Sequence, residues 1–250
     1  MVRENQNTHK YQAILMAAGV GSRISAHTNK PKSTLDTGGG DTIIGHTLNM
    51  LNERDFKINM VVGYRKENVK LLLSEYDIHF FDNPFFRVTN SIGSLWFARR
   101  ALEEASKNNQ DVILANADVF WSGKLLDRLL DFEGDFVLLG DKSRTEVGDY
   151  FFQIDDGGTL LDNGKGMEIS KRSCEYVGAG KISARAASQF IKQLDFLIWS
   201  EKYNMWWEDA LYSFKDINPV SILDVEGEFW GEVDTIEDYQ RILDYVNSRK

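Results

Sequence analysis

The sequence predicts an α/β protein, a three-layer fold with a mostly parallel central sheet and an antiparallel hairpin insertion in its C-terminal half. Three observations carry this expectation. From Tyr11 to Leu139, short apolar runs alternate with helical patterns, as in successive βαβ units. From Arg144 the rhythm shifts to short alternating segments between Gly-rich turn signals, the pattern of hairpins. A length of 250 residues with no low-complexity or Pro/Ser-rich linker suits one folded body, so a polar tail over 1–10 is expected to precede a single domain over 11–250.

The first apolar run, 11–16, is ended abruptly by Gly19 and Gly21 and reads as a strand entering a loop. Residues 42–52 carry Ile43, Ile44, Leu48 and Leu51 at helical spacing, with Asp41 or Thr42 placed to cap them. Strands are expected at 58–62, 78–81, 111–115 and 136–139, and helices at 66–74, 94–105 and 125–130. Helices of this length between strands favour right-handed parallel crossovers. Asp155-Asp156-Gly157-Gly158 and Asn163-Gly164-Lys165-Gly166 are turn signals. A strand over 175–182, helices over 184–198 and 205–214, a strand over 220–225 and a closing helix over 236–246 complete the reading, without an internal repeat.

Composition narrows the function. The single cysteine, Cys174, cannot form a disulfide within the chain, residues 1–10 lack an apolar signal core, and no apolar run approaches the roughly 20 residues that span a bilayer. A cytoplasmic protein without membrane contact is expected. A formal charge of −9 argues against a nucleic-acid partner, which needs a basic field, but a few cations at one mouth can still hold a mononucleotide.

Gly19 and Gly21 let backbone N–H groups turn toward an anion, and Ala17 and Ala18 are small enough for a base or sugar to lie against backbone. Such a turn alone is equally a tight turn after a buried strand. Arg23 adds a forked donor suited to phosphate, and Lys32, behind the constrained Pro31, a second cation. Two cations on one Gly-rich loop point to a triphosphate. No Gly-Lys-Ser/Thr closes an ATPase phosphate loop, and the third glycine of a dinucleotide fingerprint is absent. His9, His27, His46 and His79 show no ligand spacing.

The run Ala17-Ala18-Gly19-Val20-Gly21-Ser22-Arg23, followed by Pro31-Lys32, resembles the signature of nucleotidyltransferases, which join a phosphorylated small molecule to a nucleoside triphosphate and release pyrophosphate. Asn116-Ala117-Asp118 and Gly231-Glu232-Val233-Asp234-Thr235 stand where that family carries its metal-binding aspartates. Within the family, small CTP:phosphocholine cytidylyltransferases look most similar, through residues 89–96 (TNSIGSLW), Ile169-Ser170-Lys171 and Trp206-Trp207-Glu208-Asp209. The resemblance implies a Rossmann-like fold with a nucleotide-binding half, 11–140, and an acceptor-binding half, 141–250. It implies nucleotide contacts at Ala17, Ala18, Gly19, Gly21, Ser22, Asn90 and Ser94, and Mg²⁺ on Asp118 and Asp234. Arg23 would hold the leaving pyrophosphate, Lys32 would offset charge near the α-phosphate, and Lys171 would meet the acceptor phosphate.

Trp faces attract quaternary ammonium groups, so Trp206 and Trp207, with Glu208 or Asp209 as counter-charge, are candidates for binding a choline-like acceptor. Adjacent residues on a helix point about 100° apart, so both indoles cannot line one face. The expected activity is transfer of CMP from CTP to a phosphorylated or phosphonate acceptor such as phosphocholine. The alternatives are a 2-aminoethylphosphonate cytidylyltransferase, a sugar-1-phosphate nucleotidyltransferase using UTP or dTTP, and a non-catalytic module of the same fold. A homodimer is left open.

Overall fold

The computed structural model describes residues 9–21, 28, 30–38 and 40–249. At its centre β1 (Tyr11–Ala17) is covered on both faces, which is why it reads as an unbroken apolar run. It pairs in parallel with β2 (Phe56–Val62) on one side and β4 (Val112–Asn116) on the other. The outer strand β3 (Ile78–Asp82) pairs in parallel with β2. On the far side β9 (Cys174–Ile182) runs antiparallel to both β4 and β6 (Phe136–Asp141), and β10 (Val220–Asp224) pairs in parallel with β6. The sheet order is β10-β6-β9-β4-β1-β2-β3.

The hairpin β7 (Phe151–Ile154) and β8 (Leu160–Gly164) turns at residues 155–158 as expected, with Gly158 at φ +81°, and attaches to β9 through β7. The reversal goes deeper than a peripheral hairpin. Because the chain leaves β6 through β7 and β8, β9 returns in the opposite sense between β6 and β4, so the antiparallel insertion reaches the middle of the sheet.

Helices cover both faces. On one, α3 (Ser91–Phe97), α4 (Arg99–Lys107) and α6 (Ala184–Trp199) bury residues such as Leu95, Leu102 and Phe190; on the other, α1 (Ile43–Asn52) and α5 (Gly123–Asp131) bury Leu48 and Leu126. This is the three-layer arrangement expected. Thr42 caps α1 by accepting from the Gly45 N–H, and α2 (Lys66–Leu72) connects β2 to β3. The closing helix α8 (Ile236–Ser248) begins in a capping box between Thr235 and Asp238 and packs Ile242 against Val233 and Phe120. No helix among the described residues is long and apolar enough to cross a membrane.

Three expectations need correction. The helix at 94–105 is two helices, starting earlier at the Asn90 cap and broken at Ala98. The helix at 205–214 shrinks to α7 (Asp209–Tyr212). The residues before it are drawn onto the start of α3, where Asn90 N–H donates to Tyr203 O (2.9 Å) and Ile92 N–H to Met205 O (3.2 Å), while Trp207 N–H donates to Ser91 Oγ (2.9 Å). The periodicity also missed β5 (Val119–Trp121) and β11 (Trp230–Glu232), too short to show a pattern. They form a separate antiparallel pair that sets Glu232 opposite Val119, and Val233 N–H donates to Asp118 O (3.1 Å). That pairing carries the C-terminal acidic segment to the end of β4.

Candidate active site

A cavity of about 310 Å³ opens at the C-terminal ends of the parallel strands. Its floor is residues 16–20, where β1 runs out; Thr89, Asn90 and Ser94 form one wall, and Lys32, Asp118 and Glu232 close the inner end. A Cβ on Gly19 would meet nothing within 4 Å, so backbone faces open space there. Gly21 does not line the cavity. It turns the chain at φ +64° directly against the Lys32 side chain, where an added Cβ would lie 3.3 Å from Cδ. Asn90 caps α3, and the buried Ser94 accepts from Asn83 Nδ2 at 3.0 Å. Ser22 and Arg23 lie outside the described residues.

At the inner end, Asp118 leaves β4, Glu232 ends β11 and Asp234 follows it, and one carboxylate oxygen from each lies within 4.8 Å of the others. Lys32 Nζ pairs with Asp118 Oδ2 and, at 3.0 Å, with Asp234 Oδ1. Desolvation opposes the Lys32 charge, but Asp118, Glu232 and Asp234 outweigh it and hold the ammonium above the usual lysine value. Burial, reinforced by Asp118, pushes the Glu232 carboxyl well above its ordinary range. A compact set of carboxylate oxygens is the donor chemistry a hard divalent cation takes. Glu232 escaped the sequence reading. The signal was its i, i+2 relation to Asp234, which on extended chain turns both side chains to one face.

A second cavity of about 220 Å³ shares Lys32, Asn116, Trp206 and Glu232 with the first. Its walls are aromatic: Tyr150 just before β7, Tyr176 on β9, Tyr212 on α7, and Trp206. Tyr150 meets Trp206 edge-on at 5.6 Å and stacks on Tyr212 at 5.9 Å between centroids. Lys165 Nζ sits 4.8 Å from the Trp206 ring centroid. Glu208 is buried beneath these rings with the Tyr176 hydroxyl directed at its carboxyl, and among the described residues the Tyr212 hydroxyl is buried without a hydrogen-bond partner. Burial, opposed by the local backbone and the Tyr176 hydroxyl, pushes the Glu208 pKa up to about 7.

The tryptophan pair divides, as the geometric argument requires, although on a turn rather than a helix. Trp206 is the one that reaches the cavity. Trp207 is fully buried, and its indole N–H donates to Asn116 Oδ1 (3.2 Å), steadying the residue between the two cavities. Asp209 lines neither cavity; its Oδ2 accepts from Trp206 N–H at 2.8 Å and fixes that turn. Lys171 is exposed on a short 3-10 turn (Ile169–Lys171) and also lines neither, whereas Lys165 does. The three tyrosines come from separate elements, so no sequence spacing links them.

The MobA-like NTP transferase domain model matches residues 13–148. A CTP:phosphoglutamine cytidylyltransferase of Campylobacter jejuni is 25% identical over 247 residues, covering 91% of this chain and 97% of that protein. A 2-aminoethylphosphonate cytidylyltransferase of Lancefieldella rimae is 25% identical over 236 residues, covering 93% and 92%. Among solved structures, the CTP:phosphocholine cytidylyltransferase of Streptococcus pneumoniae shares the fold with a TM-score of 0.76 at 18% identity, over 95% of this chain and 99% of that one. The family match runs from the interior of β1 through Asp118 to the loop before β7, and the chain belongs to the MobA-like NTP transferases.

Proposed function

We propose that the protein transfers CMP from CTP to a small phosphorylated or phosphonate acceptor bearing an amine, releasing pyrophosphate. The observation that carries this reading is the tyrosine- and tryptophan-walled cavity over buried Glu208, opening onto the same acidic cluster as the cavity at the Gly-rich loop. Aromatic faces and a buried carboxylate suit a cation, not a hexose hydroxyl array. The Glu208 carboxyl and the Tyr176 and Tyr212 hydroxyl oxygens offer acceptors there, and these favour an ammonium with N–H donors over a trimethylammonium, which has none. The relatives named for phosphoglutamine and 2-aminoethylphosphonate accord with this reading.

In the proposed reaction an acceptor phosphate or phosphonate oxygen, already ionised near neutral pH, attacks the α-phosphorus of CTP in line. The bond to the β-phosphate bridging oxygen breaks and pyrophosphate leaves, so no general base is required. Lys32 offsets charge at the α-phosphate and Arg23 holds the departing pyrophosphate. Asp118, Glu232 and Asp234 would hold Mg²⁺, which when bound supplies charge neutralisation between the two anions. Asn116 and Trp206 separate the donor and acceptor cavities.

Pyrophosphate release measured with CTP, UTP, dTTP and GTP against phosphoethanolamine, 2-aminoethylphosphonate, phosphocholine, glycerol phosphate and glucose 1-phosphate tests this. CTP with a primary-amine acceptor is expected to be fastest and phosphocholine slower. Fastest turnover of glucose 1-phosphate with UTP or dTTP would overturn the proposal.

A further inference from the structure

The aromatic cavity does not end at Tyr150 and Tyr176. A third cavity of about 270 Å³ lies beyond them, and Tyr150, Tyr176, Glu232 and Asp234 line both. Its far wall carries two arginines, Arg144 from the loop after β6 and Arg241 from α8. Both guanidinium groups lie over one indole, Arg144 at 4.7 Å and Arg241 at 6.0 Å from the Trp230 ring centroid. That indole is fixed, since its N–H donates to Asp141 Oδ2 at 2.8 Å. The loop bearing Arg144 is held in turn by Arg172, which donates to the carbonyls of Thr145 and Glu146.

Five carboxylates share this cavity with the arginines, Asp149, Glu175, Glu232, Asp234 and Asp238, and three of them are already engaged. Glu175 pairs with Arg144 Nε at 2.8 Å and accepts from Asp149 N–H at 3.0 Å. Asp238 closes the capping box of α8, and Asp234 pairs with Lys32. Arg144 Nη1 is nonetheless buried without a hydrogen-bond partner, and Arg241 makes no ion pair or hydrogen bond among the described residues. Burial first, and then the neighbouring Arg144, weaken Arg241's hold on its proton. Two adjacent cations on a partly desolvated wall, with donors unused, form a receptor for an anion with two oxygens, and a guanidinium fork matches a carboxylate.

We infer that this third cavity receives a carboxylate of the acceptor, so that the preferred acceptor is a phosphorylated or phosphono α-amino acid. Its amine faces Glu208 and the tyrosines, its carboxylate faces Arg144 and Arg241, and its phosphorus oxyanion faces the acidic cluster. The inference rests on the proposed amine-acceptor reading and narrows the substrate class within it.

Matched pairs that differ by one carboxylate test it. These are 2-amino-3-phosphonopropionate against 2-aminoethylphosphonate, and 2-amino-4-phosphonobutyrate against 3-aminopropylphosphonate. Calorimetric binding to the protein with Mg²⁺ and a non-transferable CTP analogue is expected to favour the acid of at least one pair by about ten- to a hundredfold. Arg241→Met should bring that ratio close to one, and Arg241→Lys, which keeps the charge without the fork, should fall between. Equal affinity within both pairs, or a ratio unmoved by both variants, overturns the inference. So does a variant that weakens CTP binding equally whichever acceptor is present, which would assign the arginines to the triphosphate. Pyrophosphate release is read separately. Acid-selective binding without turnover would refute the proposed activity and leave the carboxylate site standing, while turnover without acid selectivity would do the reverse.

Discussion

Replacing Glu208 by Gln should raise stability at alkaline pH while damaging acceptor binding. Glu208 is 4% exposed, and its pKa is pushed to about 7 from the ordinary 4.5. Below pH 4.5 the carboxyl is protonated in both folded and unfolded chains and costs nothing. As pH rises toward 7 the unfolded chain releases this proton while the folded one retains it, so stability falls; above 7 the full difference is lost. That difference is worth about 3 kcal/mol, which for a chain of this length corresponds to about 6–12 °C in melting temperature. Glu208→Gln keeps the shape without the charge. Thermal melts of both proteins at pH 5 and pH 8.5 should therefore show the variant gaining on the wild type by several degrees as pH rises. In parallel, KM for 2-aminoethylphosphonate should rise by about tenfold or more, because an ion-paired hydrogen bond becomes a neutral one. A stability difference independent of pH would refute the account of the buried carboxyl. An unchanged KM would remove Glu208 from the acceptor site.

The acidic cluster makes a second expectation: Asp118→Asn, Glu232→Gln and Lys32→Ala should each lower pyrophosphate release by about a hundredfold or more with the fold intact by circular dichroism. Glu232→Gln turning over like wild type would take that residue out of the centre. Chelation with EDTA should stop turnover and Mg²⁺ should restore it; undiminished activity in EDTA would exclude the proposed metal role. Thr235→Ala removes one arm of the capping box that starts α8 just after Asp234, and denaturant melts should show a loss of about 1 kcal/mol. Gly178→Ala should cost about 1–3 kcal/mol by the same measurement, since Gly178 takes φ +94° and an added Cβ would sit 2.7 Å from Val119 Cγ2, next to the strand that follows Asp118.

Local chemistry made much of the site legible. Gly19, Gly21 and Lys32 mark the proposed anion-binding loop, because the roles expected of them depend on backbone freedom and a nearby charge, both written in one short stretch of sequence. Asp118 and Asp234 were visible as short motifs, and the structure brings their carboxylates together. The aromatic cavity was less legible. Of the four-residue run from Trp206 to Asp209, two side chains line the cavity and two support it, a division set by whether the chain continues as helix or lies against α3.

Local sequence alone fixes the alternation of buried strands and amphipathic helices, the loop at the end of β1 and the charged residues proposed to meet a triphosphate. These follow from periodicity and from conformational preferences that act over a few residues. Long-range packing, by contrast, sets the reversed insertion of β9 and the pairing of β5 with β11, which makes Glu232 a neighbour of Asp118 across more than a hundred residues. It also sets the convergence of Tyr150, Tyr176 and Tyr212 over Glu208, and of Arg144 and Arg241 over Trp230. Those contacts join side chains from separate elements, and their geometry is fixed by sheet order and packing rather than by any local preference of the chain.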